Sequence, residues 1–166
     1  MIATYPELKE AFLAFFRKKQ EIGEKSTLHY NEGENWVYVP VASAGTDSIH
    51  YELAKQGGDF FIELHVEVPS RFVAQWQKLR AALDGDQRHL FHFTYYSSNY
   101  WRCRNPVVVA EDISKDLARL FAIVEPVFAN KAEGGIELRG AMSPTEEALP
   151  FQRNLEEIAG MLNSGT

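Results

Sequence analysis

Residues 48–68, SIHYELAKQGGDFFIELHVEV, decide the fold. Gly57-Gly58 has the form of a two-residue hairpin loop between two strand-like runs. Such a loop pairs Gln56 with Asp59. Counting back sets Glu52 opposite Glu63, His50 opposite His65 and Ser48 opposite Glu67. Strand side chains alternate with period two. Ile49, Tyr51 and Leu53 therefore share a face with Phe60, Ile62, Leu64, Val66 and Val68, and His50 and Glu52 share the other with Phe61, Glu63, His65 and Glu67. Two strands that agree on one apolar face support the pairing, because a one-residue slip would turn the whole set outward. The second face is either solvated sheet surface or a site.

On the N-terminal side, Leu8, Phe12, Phe15 and Lys19, widened by Ala11 and Phe16, follow a helical rhythm from Pro6 to about Gln20. Pro6 suits a first helical turn. The segment TLHYNEGENWVYVPV then reads as two strands around a loop at Asn31–Asn35. Trp36, Tyr38 and Pro40 fall on one face, and Val37, Val39 and Val41 on the other. Pro40 cannot donate a ladder hydrogen bond, so that end of the strand belongs at an edge.

On the C-terminal side, Pro69 and Ser70 begin a helix with the stripe Phe72, Trp76, Leu79 and Leu83, ended by Asp84-Gly85. A second hairpin, His89–Tyr96 and Tyr100–Arg104, turns at Ser97-Ser98-Asn99. Asp112 caps a third helix whose stripe is Ile113, Leu117, Leu120, Phe121, Val124 and Phe128, and Pro126 should kink or end it. Beyond Gly134-Gly135, Ser143-Pro144-Thr145-Glu146 has the form of a capping box. Phe151, Leu155, Ile158 and Leu162 form a last amphipathic stripe, suited to docking on the domain itself or on a second subunit.

The order α-ββ-ββ-α-ββ-α gives an α+β fold, a mainly antiparallel sheet of hairpins with helices on one face and a C-terminal helix. Residues 1–132 are expected to form one domain, and 133–166 a linker and amphipathic helix. With 166 residues, 45% of them apolar, the chain can bury a core without staples. Its one cysteine, Cys103, forms no internal disulfide, which fits a reducing compartment. The start, MIATYPELKE, lacks the pattern of a signal peptide. No apolar run approaches the roughly 18 residues of a membrane span. A cytoplasmic protein with no membrane association is the expectation.

The net charge of −6 disfavours nucleic acid as a partner. Residues 71–104 run against that balance, with six basic residues and two acidic ones. There Tyr95, Tyr96, Tyr100, Trp101, Arg102 and Arg104 could stack on and neutralise a single strand, although alternation assigns about half of them to the core. Tyr96, Tyr100, Arg102 and Arg104 make up the basic and aromatic patch. Cys103 reads as a buried, inert thiol. Phosphate-binding glycine loops, nucleophile elbows and serine triads are absent from the sequence.

The order of elements, the segment 48–68 and the strand Tyr100-Trp101-Arg102-Cys103-Arg104 leading into a long closing helix resemble the DUF4268 domain over roughly residues 10–130. That family is grouped with nucleases of the PD-(D/E)xK type. The resemblance implies an accessory or regulatory domain near DNA-processing or defence systems, and supplies no catalytic residues. The nuclease pattern would place its acid-x-Lys pair at Glu63-Leu64-His65, with histidine in place of lysine, and its first acid at Glu52 or Asp59. The Pro-Asp element is missing. The order of elements also resembles the small acidic chaperones of type III secretion, which implies a dimer that binds unfolded segments.

Three readings follow. The leading one is a non-catalytic protein-interaction or regulatory domain that contacts a protein partner through His50, Glu52, Glu63, His65 and Glu67 and through the C-terminal helix, with a homodimer as one arrangement. The second is a metal-dependent phosphodiesterase holding a divalent ion on His50, Glu52, Glu63 and His65. Glu52 opposite Glu63 favours a bound cation or a basic partner, since like charges across strands repel. The third is a nucleic-acid-binding module that uses the basic middle segment, with a secretion-chaperone-like binding protein as a further alternative. No cofactor other than that divalent ion is expected.

Overall fold

The computed structural model describes residues 2–20, 27–67, 69–84, 92–97 and 100–129. The Gly85 stop, His89 and the whole of 133–166, with its expected helix, lie outside the described residues. Three helices, α1 (Tyr5–Lys19), α2 (Val73–Asp84) and α3 (Ala110–Ala129), accompany six strands. These are β1 (Asn31–Glu32), β2 (Trp36–Pro40), β3 (Ile49–Gln56), β4 (Asp59–Glu67), β5 (His92–Ser97) and β6 (Tyr100–Val107). They form one antiparallel sheet in the order β1-β2-β3-β4-β6-β5. The fold is α+β, with the expected order of elements. Among the described residues, no helix is long and apolar enough to cross a membrane.

The central hairpin has the register set by its Gly-Gly loop: Gln56 pairs with Asp59, Glu52 with Glu63 and His50 with His65. Gly57 has φ 63°, a left-handed conformation that favours glycine. The Ser48 carbonyl accepts the Glu67 N–H at 2.8 Å and extends the pairing to the strand end.

On the apolar face of the sheet, Ile49, Tyr51, Leu53, Ile62, Leu64, Val66, Trp101 and Cys103 are all buried. Each helix meets that face through an aromatic contact. Phe16 of α1 lies 5.2 Å from Tyr51, Trp76 of α2 lies 5.1 Å from Trp101, and Phe121 of α3 lies 6.1 Å from Tyr51. Such rings bury about 150–250 Å² each, so they carry much of the packing. Burial pushes the Tyr51 hydroxyl well above its usual pKa, and Glu125, which accepts from it at 3.1 Å, adds to the rise.

Several element boundaries differ from the sequence expectation. Asn31 and Glu32 lie inside the expected loop, yet they pair with Tyr38 and Val37 as the edge strand β1. A short 3-10 turn, Pro69–Arg71, precedes α2. Strand β6 runs past Arg104 to Val107, with Pro106 opposite Phe61. Helix α3 does not end at Pro126 but continues to Ala129. Pro126 falls in the last turn, where a missing N–H removes a single bond. Asp112 caps α3 from inside its first turn, its carboxylate accepting the N–H groups of Val108 and Val109 at 3.1 and 3.2 Å. Asp112→Ala should cost about 1 kcal/mol by urea denaturation, in the range of a lost helix cap, and Asp112→Asn should retain most of it.

Candidate functional site

The three helices share one face of the sheet, and the polar side chains stand on the other. Strand pairing aligns them in two rows. Tyr38, Glu52, Glu63 and Arg104 form one row, and Pro40, His50, His65 and Arg102 the next. Tyr100 pairs with Glu67 at the strand end. This face is no wet surface: His50, Glu63 and His65 are 3%, 1% and 5% exposed.

Glu63 anchors the network. One oxygen accepts a short hydrogen bond from His65 Nε2. The other meets Arg104 Nη2 at 2.6 Å, as an ion pair rather than an aligned hydrogen bond, with Arg102 Nη1 at 3.9 Å. Burial pushes the Glu63 carboxyl up, but His65, Arg104 and Arg102 outweigh it and hold the group below its usual pKa. The Arg104 guanidinium also donates to Gln56 at 2.9 Å and lies flat on the Phe61 ring, 3.5 Å from its centre. Burial draws its pKa down, against the pull of Glu63.

The two histidines meet edge to edge, with His50 Nε2 3.1 Å from His65 Nδ1. His50 Nδ1 donates to the Asp47 carbonyl at 2.8 Å. A Glu52 oxygen stands 3.4 Å from His50 Nε2 and 3.3 Å from His65 Nδ1. The Tyr100 hydroxyl lies against the nitrogen edge of His65, 2.6 Å from Nδ1 and 2.7 Å from Nε2. Its pKa is raised by burial first, and then by Glu63 and Glu52, so it stays protonated and can donate.

Tyr38 stacks on His50 at 4.1 Å, and Trp36 on Tyr38 at 5.5 Å. Gly33 makes room for this ledge, since a Cβ there would lie 2.5 Å from the Trp36 indole nitrogen. Two adjoining cavities open over the network. One, of about 520 Å³, is lined by residues that include Trp36, Lys55, Tyr100, Arg102 and Arg104. The other, of about 300 Å³, lies over His50, Glu52 and His65, beside Glu67.

The structure thus brings together His50, Glu52, Glu63 and His65, with Glu67 at the edge. It changes their roles. His50, Glu52 and His65 offer donor atoms within 4.8 Å of one another, whereas Glu63 stands behind His65 as its hydrogen-bond partner. Asp59 lies at the hairpin tip, four residues along the strand from Glu63, or about 13 Å at the usual rise. Of the basic and aromatic patch, Tyr100, Arg102 and Arg104 join the same site. Trp101 is buried against Trp76, and the Tyr96 side chain lies outside what is described. Cys103 faces the core, buried, as expected. Sequence reasoning missed the Trp36–Tyr38 ledge on His50. Its only signal was that Trp36 and Tyr38 share the face of the strand opposite the valines.

The chain matches no family model, no curated protein and no solved structure.

Proposed function

We propose that this chain is a non-catalytic binding domain that takes an acidic segment of a protein partner into the cavity on the helix-free face of its sheet. One observation carries the reading. Two cationic groups, Arg102 and Arg104, stand over the buried carboxylate of Glu63 and line the cavity. Lys55 adds another on the same cavity wall. The acid nearby, Glu52, is turned to the histidines. Trp36, 36% exposed, offers a flat apolar surface beside them. A volume of about 520 Å³ is within the usual range of ligand pockets. The accessory role near DNA-processing or defence systems implied by the DUF4268 resemblance belongs to the same proposal.

A hexaglutamate peptide, followed by tryptophan fluorescence and calorimetry, tests it. Saturable binding is expected at low salt. It should weaken as salt screens the charges and disappear in Arg102→Glu. No binding at low salt, or binding that survives Arg102→Glu, would overturn the reading. Binding of single-stranded DNA in preference to the peptide would replace the protein partner with nucleic acid.

A further inference from the structure

Beyond partner binding, and independently of it, we infer that His50, Glu52 and His65 form a binding site for one four-coordinate transition-metal ion of the zinc class.

The first ground is spacing. The three donor atoms, His50 Nε2, His65 Nδ1 and Glu52 Oε2, form a triangle with edges of 3.1, 3.3 and 3.4 Å. An ion with ligand bonds of about 2.0–2.1 Å in tetrahedral geometry holds its ligands about 3.3–3.4 Å apart. The triangle is therefore already the face of such a tetrahedron.

The second ground is proton placement. A carbonyl oxygen only accepts, so the bond to Asp47 puts the His50 proton on Nδ1. A carboxylate ion-paired to arginine also accepts, so Glu63 puts the His65 proton on Nε2. With both rings neutral, the facing nitrogens are lone pairs, and the nearest Glu52 oxygen is a third acceptor. Tyr100 brings one proton, which satisfies one of the three. Converging acceptors repel unless a cation lies among them.

The third ground is support. Histidines that bind metal generally donate their other ring N–H to a carboxylate or a backbone carbonyl, which fixes ring and tautomer. Here His65 has the first kind of partner and His50 the second. Glu63, the member of the expected ligand set that stands apart, takes this supporting place.

His50, Glu52 and His65 all line the cavity of about 300 Å³, which leaves room beside such an ion for water or for a group of a bound ligand. Two imidazoles and one carboxylate suit zinc, cobalt or nickel, whereas magnesium and calcium take oxygen ligands.

The test uses the full chain stripped with EDTA and titrated calorimetrically with zinc, with cobalt(II) as a spectroscopic probe. One equivalent of zinc should bind, cobalt should give the visible absorption of tetrahedral geometry, and magnesium should produce no heat. Glu52→Gln, which keeps the side-chain volume, and His50→Gln should each weaken zinc by more than the roughly 100-fold that marks the upper end of what loss of an outer partner costs. His29→Ala, at the exposed His29–Asp47 pair, should leave it unchanged. Circular dichroism checks that each variant is folded. Absence of stoichiometric zinc binding would overturn the inference and leave a shared proton as the cation. Zinc affinity unchanged in folded Glu52→Gln, or lost in His29→Ala, would also overturn it.

Discussion

Glu63→Ala should lower the unfolding free energy by about 3–5 kcal/mol, the usual cost of removing one partner of a buried ion pair. Glu63 is 1% exposed, and its loss leaves Arg104 and Arg102 facing each other without the carboxylate that separates them. His65 loses its acceptor in the same step. Glu63→Gln keeps the shape and one acceptor, so its loss should be smaller. The effect has a pH signature. The Glu63 carboxyl is held below its usual pKa of 4.5 in the folded chain. A depressed folded pKa contributes stability above the unfolded pKa and loses it as pH falls through the folded value. Wild-type stability should therefore fall with acid below about pH 4.5 more steeply than that of Glu63→Gln. Urea denaturation at neutral pH and through the acid range measures both effects.

Trp101→Ala should be about as costly, near 3–5 kcal/mol by the same measurement, as expected for an indole removed from a packed core. Trp101 is fully buried and lies against the equally buried Trp76, with ring centroids 5.1 Å apart and planes at 53°. It joins β6 to α2, so its removal leaves a cavity between these two elements. Trp101→Phe keeps a ring in place and should cost clearly less. The neighbouring residue gives a contrast: Arg102 points to the opposite face, and Arg102→Ala should change ligand binding more than stability.

The central hairpin was legible because two independent constraints agree on it. The Gly57-Gly58 loop fixes which residues face each other, and the apolar alternation fixes which face is buried. The helical stripes were legible from their 3.6-residue spacing, since Leu8, Phe12 and Phe16 of α1 and Trp76, Leu79 and Leu83 of α2 are buried, although Lys19, counted in the α1 stripe, is exposed and Leu13, outside it, is buried. The other half of the site was not legible. Strand β6 joins β4 across the intervening α2 and β5, and no tight turn sets that register. The sequence alone therefore could not place Arg104 opposite Glu63, Arg102 opposite His65 and Tyr100 opposite Glu67. Burial of the polar face was hidden as well. A strand reading His-x-Glu looks solvated, and only long side chains from other strands, among them Tyr38, Tyr100 and Arg104, make it an enclosed network. The edge strand β1 was obscured because Asn31 and Glu32 carry little strand preference of their own and are held by pairing with β2.

The metal site depends on which nitrogens of His50 and His65 carry protons. Nitrogen-15 chemical shifts of the imidazole rings, recorded on the EDTA-stripped full chain before and after one equivalent of zinc, measure this directly. Protonated nitrogens are expected at His50 Nδ1 and His65 Nε2, and zinc should move the shifts of His50 Nε2 and His65 Nδ1 in particular. Ring protons on the facing nitrogens, with shifts indifferent to zinc, would contradict it.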